Sequence, residues 1–182
     1  MGNMPEQMEI KEVDAANARD IYTVDSTYEI RSRIVPSLKN GVFTFVITES
    51  DRISYKSYPD DPFDYTAFMH NPDKVAYLAY LGHRNIGQII VKRWWNRFAW
   101  VDDIRVARQY RQAGIGKKLM DAAVAWARLH GYPGIMLETQ DVNVPACLFY
   151  QSYSFTLGGV DNLLYRASLY PGETALFWYL VI

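Results

Sequence analysis

The stretch RQAGIGKKL, Arg111 to Leu119, constrains this chain more than any other. It follows FAWVDDIRV, whose composition predicts a strand over residues 98–106. It opens a run in which Ile115, Leu119, Ala122, Ala123 and Trp126 recur at helical spacing until Gly131. Yet this helix begins without a Ser, Thr, Asp or Asn cap, and Arg111, Lys117 and Lys118 stand where acidic residues belong. A helix start with unused N–H groups and nearby cations suits a bound phosphate. Gly114 and Gly116 let the backbone approach such a ligand with no Cβ in the way.

Two familiar nucleotide loops do not match. A Walker loop needs Gly at position 111 and Ser or Thr at 118, where this chain has Arg and Lys. A dinucleotide fingerprint starting at Gly114 needs a small residue at 119, where Leu stands. What remains is R-x-x-G-x-G between a strand and a helix, a pattern that an ordinary strand-to-helix turn can also carry.

The other segments supply a sheet. MEIKEV (8–13) predicts a strand, and Asp14 is placed to cap a short helix through AANARDIYTVD. GVFTFVITES (41–50) reads as a strand, whereas the prolines and aspartates of RISYKSYPDDPFDYTAF (52–68) suggest a loop or irregular insertion. VAYLAYLG (75–82) and NIGQIIVKRWW (85–95) predict two strands joined near His83. PGIMLETQ (133–140) predicts a strand, and VPACLFYQSY (144–153) a helix with Pro145 in its first turn. FTLGGV, LLYRA and TALFWYLVI complete the strands. The order predicts a mixed sheet flanked by helices in one domain spanning 1–182.

Charge narrows the partners. A net charge of -1 argues against nucleic acid or an anionic membrane, so electrostatic recognition must be local. The longest apolar run, ALFWYLVI, is too short to span a bilayer. MGNMPEQMEI shows no secretory pattern, and Glu6 stands where a myristoylation signal wants Ser or Thr. Cys147 is the single cysteine, which fits a reducing cytoplasm. His70, His83 and His130 lack metal-ligand spacing, so no metal is expected.

The R-x-x-G-x-G segment resembles the acetyl-CoA pyrophosphate loop of the GNAT superfamily of N-acetyltransferases. LETQDVNVPACLFYQSYSFTLGGVDNLLY (137–165) resembles the second half of that fold. The run LETQ-x-x-NVPAC-x-x-Y, the following FTLGGVD and the terminal ETALFWY are similar to one branch, the streptothricin acetyltransferases with their nourseothricin-resistance relatives. The resemblance is firm from about Trp94 to Ile182 and thinner before that. It implies an α+β fold with a mostly antiparallel, twisted sheet, and an acetyl-CoA-binding core of about 94–165. The co-substrate would lie on Arg111, Gln112, Ala113, Gly114, Ile115, Gly116 and Lys117, with the backbone of Ile104 and Val106 along the pantetheine. Asn143 and Ala146 match the family positions beside the pantetheine arm, although Asn143 is also an ordinary helix cap. One departure is Ser154, where the family usually has Gly.

Acetyl transfer to an amine needs a base for the ammonium, a donor for the developing oxyanion and a proton for the leaving thiolate. Alternation along the strand separates Asp102, sharing a face with Ile104 and Val106, from Asp103, which shares one with Arg105 and suits a structural ion pair. Asp102 matches the family's Glu base; being shorter, it would act through water, and a purely orienting role stays open. Tyr150 matches the tyrosine beside the CoA sulfur. Glu138, at a strand end, is either a binding group for a cationic acceptor or a solvated carboxylate. Asp60, Asp61 and Asp64 form an acidic patch that could steer a polycation, and Trp94, Trp95 and Trp100 could line the acceptor site. Cys147 reads as inert packing rather than a thiol nucleophile.

The resemblance thus implies an acetyl-CoA-dependent enzyme that acetylates a primary amine of streptothricin, on its β-lysine moiety, and inactivates the antibiotic. Its partner would be a small cationic amine. Many members of the superfamily pair as homodimers, which the exposed-looking C-terminal strand would suit. Two rivals stay open: another amine acceptor, such as a polyamine, an aminoglycoside or a protein lysine, and a CoA-binding module without catalysis.

Overall fold

The computed structural model describes residues 7–182, so the reading of the chain start and of Glu6 lies outside the described residues. In chain order the elements are β1 (Met8–Glu12), β2 (Tyr28–Lys39), β3 (Val42–Lys56), β4 (Lys74–Leu81), β5 (Arg84–Arg93), β6 (Ala99–Val106), α1 (Ile115–Leu129), β7 (Gly134–Gln140), α2 (Val144–Ser152), β8 (Thr156–Asp161) and β9 (Ala175–Val181). They group into two compact units. One holds the described residues up to Ser26, Tyr58–Ile135 and Ile182; the other holds Thr27–Ser57 and Met136–Val181.

In the first unit, β1, β4, β5 and β6 lie side by side in that order. All three pairings are antiparallel, with Tyr77 opposite Ile89 and Ile89 opposite Ile104. The amphipathic stripe of α1, including Ile115, Leu119, Met120, Ala123 and Ala127, is buried. Gly87 sets how closely this helix can approach. A Cβ there would stand 3.0 Å from the Arg105 carbonyl oxygen and 3.1 Å from Leu119 Cδ1, tighter than ordinary contact on both sides, so neighbours would have to shift to admit a side chain. A further apolar cluster joins Val13, Ile21, Leu78, Tyr80 and Ile90, with Tyr22, Phe63 and Phe68 packed against it.

The helix expected after Asp14 shrinks to a single 3-10 turn, Ala18–Asp20. Asp14 does not cap that turn, whose N-cap is Asn17; its Oδ1 accepts from the Ala16 and Asn17 amides at 2.8 and 3.1 Å and closes the turn just before it. The backbone then reaches φ 61° at Tyr22, which ends helical propagation.

In the second unit, β2 and β3 form a long antiparallel hairpin. The loop expected to begin at residue 52 starts later, because β3 runs on to Lys56 opposite Tyr28. A register irregularity between Ile30 and Ser32 absorbs the extra residues, and Tyr55 donates its hydroxyl proton to Glu29 at 3.0 Å. The Ile34 amide donates to the Asp141 carbonyl at 2.8 Å, and Arg33 meets the Asp141 carboxylate at 3.0 Å. Strand β9 lies between β7 and β8. Its Ala175, Leu176 and Trp178 are buried, so the C-terminal strand is interior rather than the exposed edge its sequence suggested. LLYRA is a turn, not a strand. Asp161 Oδ1 accepts from the Leu163 and Leu164 amides at 2.8 and 3.0 Å, which curls the chain as soon as β8 ends.

Candidate active site

The glycine loop enters α1 as its sequence requires. Gly114 is the N-cap residue at φ 82°, in the left-handed region, and no side chain caps the helix. The first helical bond runs from the Lys118 amide to the Gly114 carbonyl at 3.1 Å. The amides of Ile115 and Gly116 lie ahead of it, where a helix offers no backbone acceptor. A Cβ at Gly114 would meet nothing within 4 Å, so the loop faces open space. Gln112 also takes a positive φ, 63°. Arg111 is anchored by donating from Nε to the Val106 carbonyl at 3.0 Å, which ties the loop to the end of β6, and burial lowers the pKa of its guanidinium. Lys117 pairs with Asp121 one turn on, at 2.9 Å. Gln112 and Ala113 are exposed beside it. An anionic diphosphate fits this cradle of backbone donors.

Ile104 and Val106 sit on β6 opposite Ile89 and Gly87. The same strand carries both aspartates, and its pairing with β5 slips between Ile90 and Val91, opposite Asp103 and Val101. Asp102 is the extra residue of this bulge, which interrupts the simple alternation expected for 102, 104 and 106. Its carboxylate is about one third exposed and meets Lys92 Nζ at 2.6 Å. Lys92 also lies over the Trp94 ring, 5.7 Å from its centroid, and Trp94 stacks on Trp100 at 4.6 Å. Trp95 is 84% exposed.

Asp103 is largely covered, its side chain 15% exposed, and paired as its spacing from Arg105 predicts. Arg105 Nε and Nη2 donate to its carboxylate at 3.0 and 2.8 Å, and Gln88 donates to it at 2.5 Å. Burial raises Asp103 above the usual carboxylate range, against the pull of Arg105 and Gln88. Burial alone would lower Arg105; Asp103 and Asp60 outweigh it and leave it raised. Arg105 also covers the Tyr22 ring at 4.7 Å. The phenol there is pushed up to about 12 by burial and by Asp103 and Asp61. Asp60 is therefore not a free member of an acidic patch: it binds Arg105 Nη1 at 2.8 Å. Asp64 accepts from the Thr66 amide and caps the turn Tyr65–Ala67, while Asp61 is exposed.

In the second unit, Glu138 lies inside β7 rather than at its end, and it is not a solvated carboxylate. Tyr165 donates its hydroxyl proton to it, and Gln140 Nε2 donates to that hydroxyl at 2.8 Å. Burial raises Glu138 above its ordinary value; Tyr165 and Lys56 pull it back, and Glu173 adds to the rise. Lys56 and Glu173 form a buried pair at 2.5 Å with Tyr170 under the ammonium at 3.9 Å. Asn143 caps α2 by accepting from the Ala146 amide at 3.3 Å. Tyr150 is buried against Phe155 and Trp178. Cys147 is fully buried and pushed up to about 12 by burial, which removes the thiolate a nucleophile needs. Sequence reasoning missed Lys92, Tyr165 and the Lys56–Glu173 pair, each joined to its partner through strand register or a distant loop.

The model of the acetyltransferase (GNAT) family matches residues 43–155. Streptothricin acetyltransferase A of Bacillus subtilis (strain 168) is 36% identical over 163 residues, covering 90% of this chain and 94% of that protein. A Bacillus anthracis str. Ames protein assigned as a streptothricin acetyltransferase, solved in complex with acetyl coenzyme A, superposes with a TM-score of 0.89 at 33% identity. That match covers 97% of this chain and 100% of the other. The crystal structure of nourseothricin acetyltransferase gives a TM-score of 0.80 at 29% identity, over 96% and 98% of the two chains. The chain belongs to the acetyltransferase (GNAT) family and is an N-acetyltransferase.

Proposed function

We propose that the chain transfers acetyl from acetyl-CoA to a primary amine of streptothricin, on its β-lysine moiety, and so inactivates the antibiotic. The observation that carries the reading is the start of α1: uncapped amides, a left-handed glycine and open space, followed by a helix packed on the sheet. The residues fit the diphosphate of a CoA thioester, with Ile115 and Gly116 amides as donors and the Ile104 and Val106 backbone available to a pantetheine chain. Bound there, acetyl-CoA supplies an acetyl group already activated as a thioester. The relatives named above support streptothricin as acceptor.

The chain's own groups then divide the work. Asp102, one third exposed on the β6 bulge, takes a proton from the acceptor ammonium through a water. The Tyr150 phenol donates toward the departing sulfur. Glu138 and Asp61 bind the cationic acceptor, Asp60 shares its charge with Arg105, and Trp94 offers an aromatic face. Asn143 and Ala146 hold the pantetheine arm. The test is thiol release from acetyl-CoA by the purified chain, with streptothricin set beside a polyamine, an aminoglycoside and a lysine peptide. Release dependent on streptothricin, with acetylation found on the β-lysine amine, supports the reading; equal or faster release with another amine overturns it.

A further inference from the structure

The ammonium of Lys92 occupies a setting built to recognise an ammonium. It lies 2.6 Å from the Asp102 carboxylate and 5.7 Å from the centre of the Trp94 ring, which is itself held flat against Trp100 at 4.6 Å and 19°. A carboxylate and an indole face are the two groups that bind a primary ammonium from outside. Both partners of the pair are only about two thirds covered, at 33% and 35% exposure, so a competing cation can reach them. The pairing is not fixed by burial either. At such exposure a Lys–Asp pair contributes little to stability.

We propose that Lys92 is an internal competitor for the acceptor: its ammonium fills the Asp102–Trp94 subsite until the substrate's ammonium displaces it. The inference rests on Asp102 acting at the acceptor amine, and goes beyond that reading by naming Lys92 as the residue that sets acceptor affinity and cation selectivity. Displacement leaves Asp102 beside the incoming amine, while Lys92, on a flexible four-carbon stem, swings into water. A neutral or anionic acceptor cannot displace it, so the subsite selects cations without an excess of acidic residues.

The test compares the steady-state kinetics of Lys92→Met, Lys92→Arg and the parent chain, using streptothricin as acceptor. Lys92→Met should lower KM for the acceptor by about two- to five-fold, the scale of an exposed ion pair, and leave KM for acetyl-CoA where it was. Lys92→Arg should restore the parent's value. An unchanged or higher acceptor KM in Lys92→Met, in a chain whose Tm matches the parent, overturns the proposal. Asp102→Asn separates the two levels. If it lowers kcat by about 10²-fold while Lys92→Met leaves KM unmoved, the competitor falls and the base stands; if neither variant alters kinetics, both fall.

Discussion

Arg105 grips Asp103 with two nitrogens and Asp60 with a third, at 3.0, 2.8 and 2.8 Å. Its side chain is only 5% exposed. This one guanidinium therefore joins β6 to the 58–64 segment and, through the Tyr22 ring and the Val24 carbonyl, to the segment after β1. Removing it would strand a largely covered carboxylate. Arg105→Met should cost about 3–5 kcal/mol of stability, read as a shift in the denaturant midpoint. A loss below about 1 kcal/mol would show that Asp103 finds another partner.

Asp102 behaves differently, because its partner is exposed and its bulge is a backbone feature. Asp102→Asn should leave Tm near that of the parent and lower kcat by about 10²-fold. Undiminished turnover would assign the proton transfer elsewhere.

Tyr150 has the packing of a core ring, so its hydroxyl can be tested alone. Tyr150→Phe keeps the contacts with Phe155 and Trp178 and should reduce turnover by about 10²-fold while KM for acetyl-CoA stays within about two-fold. Weakened CoA binding at undiminished turnover would make the phenol a binding group.

Glu138 predicts a pH dependence. Burial raises it above the ordinary 4.5, so the folded chain keeps this proton to higher pH than the unfolded chain does. The stability linked to it is present below 4.5 and is lost as pH climbs through the folded value. Glu138→Gln, neutral at every pH, escapes that loss. Its unfolding free energy should gain on the parent's as pH rises from 4.5, measured by urea titration at several pH values. A gap moving the other way would mean that Tyr165 and Lys56 outweigh burial.

Ser154 holds φ 81°, in the region where a side chain is strained. Ser154→Gly should raise stability by about 1 kcal/mol, or Tm by about 2–4 °C, by relieving that conformation. Calorimetry of the two chains checks it, and a lower Tm would show that the hydroxyl offsets the strain.

The parts legible in the sequence are those whose physics is local. The α1 stripe, the Gly114 entry and the Asn143 cap depend on residues within a turn or two of one another. The Asp103–Arg105 pair is read from strand alternation two residues apart. Lys92 stayed hidden because it meets Asp102 across a hairpin whose register slips at Ile90 and Val91. Asp60 looked like one of several solvated acids, since nothing in PDDPFD shows that Arg105 will reach it. The β2 strand, YEIRSRIVPSLK, carries charges and Pro36 and is specified chiefly by the ladder with β3 and the Asp141 contacts. LLYRA has strand composition, but the aspartate just upstream turns it away.

The missing methyl group at position 87 has a mechanical consequence. With Leu119 Cδ1 3.1 Å and the Arg105 carbonyl oxygen 3.0 Å from where a Cβ would stand, α1 packs on β5 in a space that leaves none for a methyl group. Whatever its leading amides hold inherits that fixed elevation relative to β6. A single added carbon at Gly87 would act as a shim, lifting the anion seat away from the strand that carries Asp102, with every polar residue of the site still present.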